Sequence, residues 1–146
     1  MTLFIVILIA IIGIIIFLFF LQENERVVRL PTFQVFFNEK LGKYLADSRG
    51  CALYYYLEDE IGTPSSLPIS NCGENCLGIW QIFYEEKMTV SPPLKKSSFS
   101  NIERHQDGQI QTVYSGHPLY RYINDNYPGD AKGEGINNTW FVVKIN

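Results

Sequence analysis

Few residues in this chain can do chemistry: three cysteines, two histidines and 15 acidic side chains among 146 positions. Cys72-Gly-Glu-Asn-Cys76 is a CxxxC with a glycine inside it. The loop is short enough to close as a disulfide if its turn brings the two Cβ atoms together. The two thiols can also stay reduced, or join a metal site for which only the sequence-distant His105 and His117 are on offer. There is no CxxCH haem attachment site. The disulfide reading places the domain in an oxidising compartment. Cys51 stands beside a strongly apolar strand and reads as a buried thiol. The Gly-rich run from Pro128 to Gly135 lacks the GxxxxGK[ST] order of a phosphate-binding loop. Asp125, Asp130 and Glu134 offer hard oxygen ligands for a cation such as Ca²⁺, at a spacing that matches no EF-hand. The same run also reads as an Asx-capped turn with glycines at positive φ. His105 and His117 lie in two turns, and hold copper or zinc with Cys51 only if those hairpins stack. Glu58-Asp59-Glu60 and Glu85-Glu86 are adjacent, so on a strand they face opposite ways and read as solvated edges. No Ser–His–Asp or Cys–His set follows from spacing. Asn137-Asn138-Thr139 is a sequon, meaningful where the host glycosylates exported chains. The expectation is a protein that is not an enzyme and carries no cofactor.

The elements that must position these residues are mostly strands. Lys43–Ala46 and Cys51–Leu57 flank Asp47-Ser48-Arg49-Gly50, a hairpin signal with Asp opening the turn and Gly closing it. Ile102–Arg104 and Gln109–Tyr114 flank a second, His105-Gln106-Asp107-Gly108. Gly78–Tyr84, His117–Ile123 and Trp140–Ile145 read as further strands, separated by Pro-, Ser- and Gly-rich loops. Phe33–Leu41 is ambiguous. Its apolar residues at 33, 36, 37 and 41 are roughly 3.6-periodic, as in a helix, yet it lies in what otherwise reads as a connector.

Composition divides the chain sharply. Positions 1–21 hold only Thr2 and Gly13 outside the apolar set, and all 12 basic and 15 acidic residues lie beyond them. Leu3–Leu21 as a helix would span about 28 Å at ~1.5 Å per residue, near the roughly 30 Å hydrocarbon core of a bilayer. The segment lacks a basic n-region, exceeds the usual h-region and is followed by no small-x-small cleavage site, so it reads as an uncleaved signal-anchor. Arg26 and Arg29 just beyond it, taken alone, favour a cytoplasmic C-terminal side. The disulfide reading argues the reverse, and long domains translocate regardless of flanking charge. The net charge of −3 gives no basic footprint for nucleic acid.

An internal repeat is visible. Leu53-Tyr54-Tyr55-Tyr56-Leu57-Glu58-Asp59 matches Leu119-Tyr120-Arg121-Tyr122-Ile123-Asn124-Asp125 in the pattern L-Y-x-Y-x-x-D, followed by Gly62 and Gly129, then by Trp80 and Trp140. On strands, Tyr54 and Tyr56 share a face, as do Tyr120 and Tyr122. Four tyrosines and two tryptophans in related positions predict a shared aromatic core whose hydroxyls need partners.

With these residues in hand, the chain resembles the secreted-repeat proteins of unknown function, the predicted lipoproteins with a Yx(F/W/Y)xxD motif. The first copy carries Tyr44-Leu-Ala-Asp47, Gly50, Leu53-Tyr54-Tyr-Tyr56, Asp59, the two CxxxC cysteines and Trp80. The second carries Arg104, Asp107-Gly108, Gln111, Tyr114-Ser-Gly116-His-Pro118-Leu-Tyr120, Tyr122, Asp125, Pro128-Gly-Asp130, Gly133, Gly135 and Trp140. The resemblance covers roughly residues 40–143. It implies an extracytoplasmic β-rich domain with Cys72–Cys76 as a disulfide, and it carries over no enzymatic activity. The chain departs from the pattern in having an apolar segment in place of a lipid-modified cysteine. Gln-Ile-Phe also follows Trp80 where the family favours Pro-Pro, and Pro92-Pro93 comes later. That shift points to an insertion around residues 81–91 and makes this region the place to look for divergent function.

The expected fold is mainly β: a single N-terminal transmembrane helix (1–22), a juxtamembrane connector (23–39) and a small extracytoplasmic β-rich domain (40–146) of two related repeats, about 43–84 and 102–146. The N-terminus is expected to be cytoplasmic and the C-terminal domain periplasmic or extracellular. The expected role is a single-pass accessory subunit of a larger membrane complex, with a respiratory or electron-transfer complex as a natural host. It would contact membrane lipid, and other membrane subunits through its helix and aromatic surface, with no nucleic acid. The alternative is a binding module for a metal ion or small ligand, using the acidic loop or the histidines.

Overall fold

The computed structural model describes residues 2–23 and 30–146, which fall into two compact units, Met1–Leu30 and Pro31–Asn146. Residues 24–29 of the expected connector lie outside the described residues. In the first unit a single helix, α1 (Thr2–Glu23), occupies the expected place. Among the described residues, however, no helix is long and apolar enough to cross a membrane. The longest run with described side chains, Ile7–Phe19, covers about 20 Å at ~1.5 Å per residue, short of a hydrocarbon core.

The regular elements of the second unit are almost all strands. Its strands are β1 (Phe33–Asn38), β2 (Gly42–Asp47), β3 (Tyr54–Tyr56), β4 (Trp80–Ile82), β5 (Phe99–Glu103), β6 (Ile110–Tyr114), β7 (His117–Pro118), β8 (Tyr120–Tyr122) and β9 (Trp140–Val142). A one-turn helix, α2 (Glu74–Leu77), lies between β3 and β4. The strands form a β1-β2 hairpin, a β5-β6-β7 sheet and a central sheet in the order β4-β8-β3-β9.

Both hairpins predicted from Asp and Gly turn residues are present. Ala46 bridges Ala52 across the first turn, and Phe99–Glu103 pairs with Ile110–Tyr114 across the second. Phe33–Asn38 is neither helix nor connector but a full strand, paired from Phe33↔Asp47 to Asn38↔Gly42. The reason is tertiary. Phe33 and Val35 pack into one apolar cluster while Phe36 packs into the other. Those are the two faces of one strand, and their combined spacing imitates a helical stripe.

The central sheet separates the two clusters. Leu53, Phe83, Leu119 and Val143 belong to one; Tyr54, Trp80, Tyr120 and Trp140 belong to the other. Cys72 and Cys76 form a disulfide with Cα atoms 5.3 Å apart. Cys72 precedes the Gly73 N-cap of α2 and Cys76 lies in its single turn, which folds the chain back far enough for the two sulfurs to meet. Closing so short a loop stabilises the fold by about 2 kcal/mol. Adding a reductant should therefore lower the unfolding free energy by that amount and leave a folded domain, a shift read by denaturant titration. Cys51 is buried, as expected, and its Sγ–H donates toward the carbonyls of Asp125 and Tyr127 at 3.6 and 3.5 Å.

Candidate functional site

The conspicuous chemistry of the domain lies where the two repeats meet. β3 of the first repeat and β8 of the second run antiparallel with Tyr54 opposite Tyr120. Each repeat then lends its Trp strand to the other: β9 pairs with β3 (Tyr56↔Trp140), and β4 pairs with β8 (Trp80↔Tyr122). The side chains repeat this exchange. Tyr54 Oη donates to Asp125 Oδ2 at 2.5 Å, and Tyr120 Oη donates to Asp59 Oδ2 at 2.9 Å. Each tyrosine thus bonds to the other copy's aspartate. The glycines after the motif do the same in backbone form: Gly129 N–H donates to Gly50 O at 2.8 Å, and Gly62 N–H to Gly116 O at 2.9 Å.

At the centre of the exchange the two tryptophans stack face to face, centroids 3.9 Å apart and planes 5° from parallel. Tyr56 stacks on Trp140 from one side, and Tyr122 lies on Trp80 from the other at 4.8 Å. Tyr54 and Tyr120 meet Trp80 and Trp140 edge-on at 5.2 and 5.0 Å. Edge-to-face and offset pairs of this kind add about 0.5–1.5 kcal/mol each beyond area burial. The predicted aromatic core is therefore real, and it is the interface between the copies.

Gly133 shows how tightly it is packed. A Cβ there would sit 2.6 Å from Trp80 Cη2 and 2.9 Å from Tyr54 Cε1, while the Gly133 N–H donates to Tyr54 Oη at 3.0 Å. Gly133→Ala must push one of these rings aside, at a cost of about 1–3 kcal/mol. Thermal unfolding should show it, whereas Gly13 has open space and nothing to displace.

Burial shapes the protonation of this network. It drives the phenols of Tyr54 and Tyr120 far above their usual range, reinforced by the adjacent carboxylates. It raises Asp125 despite the donors Tyr54 Oη and Lys132 N–H. It raises Asp59 from 3.8 to about 6, outweighing the Asn71 N–H, the Tyr120 hydroxyl and the nearby Arg104 charge.

Arg104 is the largest fully buried side chain. Its Nε donates to both oxygens of Asp107 at 3.1 Å. Nη1 reaches Gln111 Oε1 at 3.0 Å and the Ser70 hydroxyl. Nη2 reaches Cys72 O at 2.7 Å and Gln106 Oε1 at 3.0 Å. A residue of the second repeat thereby grips the disulfide loop of the first. Ser70 joins this cluster to the exchange, since its hydroxyl lies 2.6 Å from Tyr120 Oη. The motif names Arg104 and Gln111 but gives no hint of Ser70, a loop serine whose role depends only on where the loop lands.

The other candidates are not brought together. Asp130 Oδ2 accepts the Asn126 and Tyr127 N–H groups and pairs with Lys132 Nζ at 2.8 Å, which holds its carboxyl down at about 2. Glu134 accepts the Val142 N–H at 2.6 Å, and Asp125 is engaged by Tyr54 and Lys132. The carboxylates of the Gly-rich loop therefore cap the chain's own donors, and Gly129 and Gly135 stand at positive φ as in the turn reading. His105 is exposed in the β5-β6 turn, His117 packs on Tyr55 at 4.9 Å, and Cys51 faces the Asp125 and Tyr127 carbonyls. The hairpins do not stack these three together, which corrects the copper or zinc reading. Among the described residues no group of three or more His, Cys, Asp or Glu is placed to hold a metal.

Comparison with curated proteins and with solved structures returns no match. A protein-family model described as a secreted repeat of unknown function matches residues 102–144. That span holds the last two residues of β5, all of β6 to β8, and the Trp strand β9 that is lent to the first copy. Residues 102–144 thus match the secreted repeat of unknown function, the family that the L-Y-x-Y-x-x-D motif resembles.

Proposed function

We propose that this chain is a non-catalytic accessory module. Residues 1–22 hold it at a membrane, and the two-repeat domain works outside the cytoplasm as a rigid body docked in a larger membrane assembly. The observation that carries this reading is the inward closure of the motif. The Tyr, Asp, Arg and Trp side chains that define the repeat bond and stack against each other across the copies, where a catalytic acid or base must face a substrate. What the motif builds is a fixed relation between two β units.

Two further features support the membrane and docking parts. α1 exposes Ile, Leu and Phe on all its described sides, and positions 3–21 carry no charge. A helix apolar all round calls for a covering of lipid or protein. The β domain exposes Phe37, Leu67 and Tyr127, each more than two-thirds open, as anchors of the size that dominate interfaces. The test is solubilisation from the native membrane in mild detergent, followed by size analysis and identification of what co-purifies. Stoichiometric membrane partners are expected; a protein that leaves the membrane as a lone monomer overturns the reading.

A further inference from the structure

A groove of about 480 Å³ opens on the sheet face opposite the aromatic stack, beside Tyr55. Six polar side chains line it, those of Tyr55, Lys95, Ser98, Tyr114, Ser115 and His117, with Lys144 and Asn146 beside them, over an apolar part that includes Leu94 and Val143. These polar groups differ from those of the repeat core. Tyr44, Tyr54 and Tyr120 all spend their hydroxyls on protein partners. Among the described residues, none of the six groove side chains makes a side-chain hydrogen bond or an ion pair; Tyr55 and His117 are shifted by burial without any bonding partner. Among the described residues no buried side-chain polar atom lacks a partner, so these free atoms are accessible to solvent.

We infer that this groove binds a small, negatively charged, hydroxyl-rich ligand, a sugar acid. Two phenols, two serine hydroxyls and an imidazole each donate and accept, which matches ligand hydroxyls that do the same. Lys95 only donates, and no Asp or Glu lines the groove, which matches a carboxylate. Lys144 also borders the groove, but its ammonium is committed to Leu41 O at 2.5 Å and to Glu134. The volume lies within the roughly 300–1,000 Å³ of small-molecule sites and would leave a bare anion mostly unsupported. Burial lowers the His117 pKa and so keeps its ring neutral, with one nitrogen free to accept.

The groove is also particular to one side of the repeat pair. Lys95 and Ser98 come from the segment that follows the departure from the family pattern after Trp80. Tyr55 fills the variable position of L-Y-x-Y, where the second copy has Arg121. The inference stands apart from the docking role, and the two fail independently.

The test is calorimetric titration of the full chain, held in a detergent without sugar headgroups, with glucuronate, galacturonate and N-acetylneuraminate. Glucose and inorganic phosphate serve as comparators. Saturable binding of at least one sugar acid is expected. Lys95→Ala should weaken it about tenfold or more, as loss of a charge-assisted bond does, and Tyr55→Phe a few-fold, with both variants melting like the parent. No saturable binding of any of the three overturns the inference. So does glucose or phosphate binding as tightly as the best sugar acid, or an affinity unchanged in Lys95→Ala.

Discussion

Arg104→Ala should cost the β domain about 3–5 kcal/mol, the scale for breaking a buried charge network from one side. Removal strands Gln111 Oε1 and Cys72 O inside the protein and leaves the Ser70 hydroxyl with Tyr120 alone, and each orphaned group costs on the order of 1–3 kcal/mol. It also takes away the positive charge that partly offsets the burial of Asp59. Against a total stability of roughly 5–15 kcal/mol this is a large fraction. A fall in melting temperature of at least ~10 °C is expected. Arg104→Lys should recover less than half the loss, because three donors on a flexible stem cannot span partners arranged around a planar fork. Melting curves of the three proteins decide it; a loss under about 1 kcal/mol in Arg104→Ala would mean the cluster contributes little.

The second large effect is on pH. The folded-state pKa of Asp59 is about 6 against an ordinary 3.8, so between those values the fold binds a proton that the unfolded chain has released. Its contribution is fully present below about pH 4 and is lost as pH rises through 6, a change on the order of 3 kcal/mol. Asp125 is shifted the same way. Asp107 and Asp130 are shifted down, so they favour the fold above their ordinary values and lose that support in stronger acid. His117, half-buried and lowered, favours the fold as pH rises through its ordinary 6.5 and partly masks Asp59 near pH 6.

Asp59→Asn isolates this contribution. The amide oxygen can still accept from Asn71 N–H, and the amide N–H can donate to Tyr120 Oη, which then gives its own proton to Ser70. The difference in unfolding free energy between parent and variant should change by about 2 kcal/mol from pH 4 to pH 7.5, with the parent relatively weaker at the higher pH. A difference that stays constant across that range contradicts the assignment.

Much of the fold could be read from residue order, for identifiable reasons. Asp and Gly at the hairpin turns act locally, so the hairpins follow from a few positions. The alternation of Tyr54 and Tyr56, and of Tyr120 and Tyr122, puts aromatic residues on one face whatever the strands pair with. Phe33–Leu41 was ambiguous because a strand with both faces buried shows no clean period. The exchange between repeats was not legible. L-Y-x-Y-x-x-D contains donor and acceptor in each copy, and only the antiparallel pairing of Tyr54 with Tyr120 dictates that they bond across rather than within. The acidic loop misled in the opposite direction: its carboxylates suit a cation in composition, while in place they serve the N–H groups of their own turn.

The central claim is that the two repeats are halves of one folded unit, each completed by the other's strand, carboxylate and tryptophan. The most direct test is to produce residues 99–146, which contain the whole matched repeat, and record amide-resolved NMR and far-UV circular dichroism beside residues 31–146. The account predicts an unfolded spectrum for the isolated repeat and a dispersed, cooperatively melting one for the pair. A stably folded, cooperatively melting single repeat would contradict it.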